Sequence, residues 1–250
     1  MMQRYFIIFS YDGAAYHGWQ VQPNARTVQQ LLEEALATVV RTPVSVVGAG
    51  RTDSGVNAVN MVAHADIPAS VDVAQLKYKL NRILPPDISV SDIKPVKSDA
   101  HARFDAVSRR YCYYVSTVKS PFARRYSCRV PADIDFEAMN LAAAILPEYI
   151  DFTSFSKLHT DVKTNNCRVT RAEWRRLDEH HWVFEIEADR FLRNMVRAIV
   201  GTLLMVGRGK LTIDGFRRVI EQKERCAAGD SAVAEALFLV EVKYPKELYL

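Results

Sequence analysis

Gly48-Ala49-Gly50-Arg51-Thr52-Asp53-Ser54-Gly55-Val56 carries more information than any other stretch of this chain. Its three glycines, Gly48, Gly50 and Gly55, follow the β-rich run at 43–47. Glycine permits φ > 0 and lets a second backbone approach closely. Between the glycines stand one arginine and one aspartate. A carboxylate on a tight, glycine-flanked loop can face a ligand with little obstruction. The same carboxylate can instead close an Asx-turn on its own backbone. The residues of this segment alone allow either.

Working outward, residues 3–11 (RYFIIFSYD) alternate as a strand, with Tyr5, Ile7, Phe9 and Tyr11 on one side. The loop DGAAYHGWQVQPNA follows. Thr27-x-x-Gln30 is a capping box, and Val28, Leu31, Leu32, Ala35, Leu36 and Val39 continue at helical spacing. Residues 43–49 predict a strand. Asp72-x-x-Gln75 opens a helix toward Leu84, which Pro85-Pro86 stops. Further on, 109–118 reads as a strand with Tyr111, Tyr113, Val115 and Thr117 on one face. Asp135 caps a helix running through Ala144. Paired strands fall at 168–177 and 181–188. A helix is expected from about Arg190 to Val206, ended by Gly207. Another covers about 213–224, and a last strand lies near 234–244. Each half mixes strands and helices without a regular βαβ alternation, which predicts α+β. The boundary is expected near residue 106, giving lobes 1–106 and 107–250.

The chain has 250 residues, 49% apolar and 25% charged, so a disordered or collagen-like polymer is excluded. Its length allows a sizeable core without disulfides or a structural metal. Cys112, Cys128, Cys167 and Cys226 show no CxxC or Cys/His ligand spacing, which fits a reducing compartment. No apolar run approaches the roughly 18 residues of a membrane span. A soluble cytoplasmic protein is expected. The histidines at 17, 64, 101, 159, 180 and 181 show no metal-ligand spacing. P-loop, GxGxxG, GxSxG and HExxH signatures are absent.

Charge is unevenly spread. Residues 1–100 carry nine Lys/Arg and nine Asp/Glu and so sum to zero. Residues 101–129 carry seven basic side chains (Arg103, Arg109, Arg110, Lys119, Arg124, Arg125, Arg129) against Asp105 alone, a net +6. Such a patch suits a polyanion, and equally a solvated face. Within it, Arg109-Arg110-Tyr111-Cys112-Tyr113-Tyr114 interleaves aromatic rings with arginines. That pattern offers base stacking and phosphate contacts together, or a strand whose tyrosines fill a core. Arg197 is a second anomaly, set in the apolar helix FLRNMVRAIVGTLLMV. A buried guanidinium requires a partner, whereas a snorkelling one reaches solvent. Arg190, Arg193 and Arg197 would form one stripe on that helix.

Taken in order, these pieces resemble the tRNA pseudouridine synthase A (TruA) family over nearly the whole chain. The resemblance rests on Tyr11-Asp12-Gly13, Gly18-Trp19-Gln20, Thr27-Val28-Gln29 and Gly48-Ala49-Gly50-Arg51-Thr52-Asp53. It continues through Leu80-Asn81, His101-Ala102-Arg103-Phe104, Arg109-Arg110-Tyr111 and Asp151-Phe152-Thr153-Ser154-Phe155. Asn194-Met195-Val196-Arg197, Ile199-Val200-Gly201 and Val242-Lys243-Tyr244-Pro245 complete it. The GRTD loop with a downstream MVR helix is specific as a pair. The resemblance implies a pseudouridine synthase fold: two α+β lobes of mixed or antiparallel sheet, helices packed on one face, joined across a central basic cleft. It implies a homodimer acting on positions 38, 39 and 40 of the tRNA anticodon stem-loop, with no metal and no cofactor.

By the same resemblance Asp53 is the catalytic nucleophile, Arg197 its ionic partner and Tyr111 the ring that packs on the target base. Arg51 helps extract that base. Arg103, Arg109 and Arg110, from the basic stretch, are expected to contact RNA. The chemistry suits these types. Breaking C1′–N1 builds positive charge at C1′, which an ionised carboxylate stabilises. An adjacent arginine favours that ionised state. The carboxylate could attack C1′, attack the base or remove a ribose proton, and a base such as Tyr111 must then accept the C5 proton. Targets in or beside a stem must be flipped out. Four positions depart from the family pattern: Asn57 replaces a histidine, Val59-Asn60 replaces Gly-Gln, and Ala236 replaces a glycine.

Two other readings compete. One is a related synthase with a different RNA site. The other is a non-catalytic RNA-binding module, which explains the tyrosines and arginines but not the Asp53 loop. A nucleic-acid hydrolase would want clustered carboxylates for metal, and none stands near Asp53 in sequence.

Overall fold

The computed structural model describes residues 1–157 and 164–250. His159 lies outside the described residues. The strands in chain order are β1 (Met2–Tyr11), β2 (Val47–Gly48), β3 (Asn57–Pro68), β4 (Ile88–Pro95), β5 (Ser108–Ser116), β6 (Cys128–Arg129), β7 (Val169–Arg176), β8 (His181–Ala188) and β9 (Leu237–Lys243). The helices are α1 (Val28–Val40), α2 (Val73–Ile83), α3 (Phe136–Ala143), α4 (Met195–Gly207) and α5 (Ile213–Gln222). They fall into two compact units, Met1–Val107 with Leu239–Leu250, and Ser108–Phe238. The chain therefore returns to its first unit at the end.

In the first unit the sheet runs β4–β1–β3–β9, with β2 paired to β3. β1 is antiparallel to both neighbours. Both of its faces are covered: Tyr5, Phe6, Ile7, Phe9 and Tyr11 are all buried. Phe6, on the face opposite the alternating set, packs on Tyr244 and Tyr249 at ring distances of 4.7 and 6.0 Å. Thr27 caps α1 by accepting the Gln30 N–H. The reciprocal half of that capping box does not form, because the Gln30 amide donates to Glu34 one turn on, at 2.8 Å. Asp72 caps α2, accepting from Ala74 and Gln75.

Two strands here escape the periodicity. β3 is buried along most of its length and so lacks the alternation of a half-exposed strand. β4 follows a proline pair, and a shift in its register with β1 between Val90 and Asp92 interrupts its alternation. The strand expected at 43–49 shrinks to Val47–Gly48. The cause is local: side chains of α1 take Val46's backbone groups. Its N–H donates to Glu33 at 2.9 Å, and its carbonyl accepts from Gln29 at 3.0 Å.

In the second unit β8 lies between β5 and β7, antiparallel to both, and β6 runs parallel to β5. The sheet is thus mixed, and with its helices the architecture is α+β. α3 is fastened to β7 by Asn140, whose amide bonds both the N–H and the carbonyl of Trp174. Phe136 stacks on Trp182 with ring centroids 4.0 Å apart. α4 is apolar on nearly every side because it is buried on nearly every side. It begins later than expected. Asn194, at φ 66°, breaks the helical path, and the Asp189 carboxylate takes the Arg190 and Arg168 N–H groups. Arg190 and Arg193 therefore precede the helix and share no stripe with Arg197.

Among the described residues no helix is long and apolar enough to cross a membrane.

Candidate functional site

The Asp53 loop is clamped by the segment after β1. Tyr11 and Thr52 share a buried hydroxyl–hydroxyl hydrogen bond of 2.8 Å. The Trp19 N–H donates to the Thr52 carbonyl at 3.3 Å, and the Gly55 N–H to the Tyr16 carbonyl at 3.4 Å. Ser54 Oγ donates to that same Tyr16 carbonyl. Within the loop, Val56 N–H returns to the Asp53 carbonyl at 3.1 Å, closing a turn with Gly55 at φ 79°. Positive φ there explains the glycine. Gly18 is needed twice over: it sits at φ +86°, and an added Cβ would lie 2.4 Å from the Thr52 carbonyl oxygen. Gly48 lies against the Trp19 ring, where a Cβ would meet the indole at 2.6 Å. Gly50 has open space around it and is under no such constraint.

Asp53 is thereby held half-buried on a fixed turn, with Arg51 exposed beside it. A fixed, partly exposed carboxylate suits a reacting group, since little reorganisation remains for the reaction to perform. Asn57, which departs from the family pattern, is almost fully buried and accepts the Gly13 N–H at 2.8 Å. It serves the same clamp from the other end. Tyr16 donates to Asp87 at 2.5 Å; burial and that carboxylate both push its phenol well above the ordinary tyrosine range. Tyr16 is thus held protonated as a structural donor.

Tyr111 and Arg197 belong to the second unit. Tyr111, on β5 opposite Ile186 of β8, is buried and meets Phe191 edge-on at 5.1 Å. Its neighbour Tyr113 is fully buried, and desolvation raises its pKa far above the ordinary value while the nearby Arg197 charge opposes that rise. Arg197, in the first turn of α4, is half-buried. Its Nε donates to the Ala232 carbonyl at 2.7 Å, and its own carbonyl accepts the Ala232 N–H at 2.9 Å. A backbone carbonyl is therefore one of the partners its burial requires. Arg109 donates to the Asp189 carbonyl at 2.7 Å. Arg110 has its Nε buried, whereas Arg103, Arg124, Arg125 and Arg129 are exposed.

The clamp residues Tyr11, Gly13, Tyr16 and Gly18 received no role from sequence reasoning, although most lie in quoted motifs. Their signal was the glycine spacing in YDG and GW. It shows that close approach is needed but not which backbone approaches.

Comparison with known proteins bears directly on this arrangement. The pattern of the tRNA pseudouridine synthase family matches residues 7–105 and 150–245. A tRNA pseudouridine synthase A of Bacteroides thetaiotaomicron is 61% identical over 250 residues, covering 99% of this chain and 93% of that one. The like-named protein of Bacteroides fragilis is 60% identical, with 99% of each chain covered. That of Porphyromonas gingivalis is 59% identical, with 100% of each chain covered. The chain belongs to the tRNA pseudouridine synthase family.

Proposed function

We propose that the protein isomerises uridine to pseudouridine at positions 38, 39 and 40 of the tRNA anticodon stem-loop. The observation that carries this reading is the clamped Asp53 turn, together with full-length identity of about 60% to proteins named for the activity. In this reading the reaction breaks C1′–N1, rotates the detached uracil and forms C1′–C5. The C5 proton leaves and N1 gains one, so nothing is consumed and no cofactor or metal is called for. Asp53 acts as nucleophile at the reacting centre, and Arg197 is its ionic partner. Tyr111 covers the base and accepts the C5 proton. Arg51 assists the flip, which costs a few kcal/mol of stacking. Arg103, Arg109 and Arg110 hold phosphate along a basic cleft, and the protein works in the cytoplasm as a homodimer.

Tritium release from tRNA transcripts labelled at uridine C5 tests this, because the isomer is unchanged in mass. Release by wild type, and none by Asp53→Asn, is expected, with turnover preserved in EDTA. Folded wild-type protein that releases no tritium from anticodon-arm substrates overturns it. The second reading, a synthase with another RNA site, is favoured only if release maps outside positions 38 to 40.

A further inference from the structure

The motif His101-Ala102-Arg103-Phe104 has a structure that the catalytic reading does not use. Its backbone is locked by a closed set of hydrogen bonds. The His101 N–H donates to Asp105 Oδ2 at 2.7 Å, and the Asp105 N–H returns to the His101 carbonyl at 3.1 Å. His101 Nδ1 accepts from the Arg103 and Phe104 N–H groups at 3.1 and 3.3 Å. Ala102, fully buried, donates to Nδ1 of His64 at 3.0 Å and accepts from the Tyr244 hydroxyl at 2.5 Å. Accepting that bond requires an unprotonated Nδ1 on His64, and burial does keep the ring neutral, its pKa lowered to about 4. Five residues are thus anchored to β3 and to the C-terminal segment.

On this rigid loop sits a phenylalanine that faces water. Phe104 is 74% exposed. Its ring lies 4.3 Å from the His101 ring on one side, and the Arg103 guanidinium lies 5.7 Å from its centroid. A single exposed apolar residue is ordinary. An exposed ring packed against an imidazole, with a guanidinium close by, at the head of a stretch of net charge +6, is a different object. Its aromatic face has little conformational freedom to lose, and the surrounding charge favours a polyanion over an apolar protein partner. Those are the attributes of a stacking platform for a nucleobase, where ring and cation act together.

We propose that Phe104 stacks on an unpaired base of the bound tRNA, with Arg103 on the adjoining phosphate. The proposal rests on the tRNA-modifying reading above and adds to it a positioning residue outside the catalytic loop. Phe104 is mostly exposed, so its removal opens no buried cavity. The test compares Phe104→Ala, Phe104→Leu and Phe104→Trp for binding of an anticodon-arm tRNA transcript. Tritium release by the wild-type preparation is measured alongside. Phe104→Ala should weaken binding about tenfold, which is within the range seen for one base–aromatic stack. Phe104→Leu should remain weak, and Phe104→Trp should restore affinity, with indole fluorescence quenched on addition of RNA. Equal affinity of Phe104→Ala and wild type overturns the proposal. So does rescue by Phe104→Leu, which would mean plain apolar contact. A change in oligomeric state with unchanged RNA affinity overturns it too, in favour of a contact between copies. Absent tritium release by wild type would strike the catalytic reading instead, since binding is measured separately.

Discussion

Gly201 of α4 and Asp230 of the segment before β9 are in direct backbone contact. A Cβ on Gly201 would lie 1.7 Å from the Asp230 carbonyl oxygen. The next residue, Thr202, is fully buried and accepts the Gly229 N–H at 3.0 Å. Arg197, one turn earlier, bonds both backbone groups of Ala232. The segment 229–232 is thus fastened along the helix that carries the arginine.

Gly201→Ala should therefore displace that segment instead of filling a gap. A loss of about 2–3 kcal/mol is expected, as for overpacking against a backbone that cannot yield. Chemical denaturation would show it as a lowered midpoint, and tritium release should fall with it because Arg197 moves. An unchanged midpoint would contradict the close contact.

Asn57→Leu tests the clamp at its other end. The substitution keeps the branching of the side chain, with bulkier methyl groups, and removes the acceptor of the buried Gly13 N–H. Leaving that donor unsatisfied should cost about 1–3 kcal/mol. Hydrogen exchange at the Gly13 amide should accelerate markedly. Slow exchange in the variant would show that another group supports the amide.

Acid should loosen the loop that bears Phe104. Burial, with His101 and Arg4 nearby, lowers the pKa of His64 from 6.5 to about 4. The unfolded chain then binds a proton there that the folded chain refuses. Stability is consequently full above about 6.5 and declines as pH falls through the window between 6.5 and about 4. His101 is shifted in the same direction, chiefly by burial, and adds to the slope. The whole effect is on the order of 1–3 kcal/mol. Urea midpoints measured across that window should slope for wild type and slope less steeply for His64→Gln, where His101 alone of the pair remains.

Binding of tRNA should weaken steeply with salt. Each phosphate contact releases counterions, so a handful of contacts gives a loss on the order of 10–100-fold between low and moderate salt. Replacing the exposed Arg124, Arg125 and Arg129 by alanine should shallow that slope. A flat wild-type affinity would remove residues 101–129 as the RNA surface.

Much of this was legible in one dimension. Thr27, Asp72, Asp135 and Thr212 all cap helices through side-chain oxygens, and for the first three that role was readable because a cap is a contact across three residues. β1, β5, β7 and β8 were readable because aromatic and β-branched residues recur through them. β3 was not, since several of its buried positions are alanines (Ala58, Ala63 and Ala65), which are weak strand formers. The start of α4 was misplaced because one residue at positive φ leaves no mark on hydropathy. Among the candidate residues, Asp53, Arg197 and the tyrosines beside Arg109 and Arg110 stood out by type and setting. Their tight-packed supports did not.

The sequence by itself determined the α+β class, most helix starts and the chemical identity of the residues that stand out. Those features depend on local propensity and on periods that a few neighbouring residues set. Only the tertiary structure decided which backbone Gly18 and Gly201 must admit, that Val46 answers to α1 and not to a ladder, and that His64 is a buried neutral acceptor. Each of these joins residues far apart in the chain. A close approach or a buried hydrogen bond depends on where the second partner lies, and local sequence does not record that.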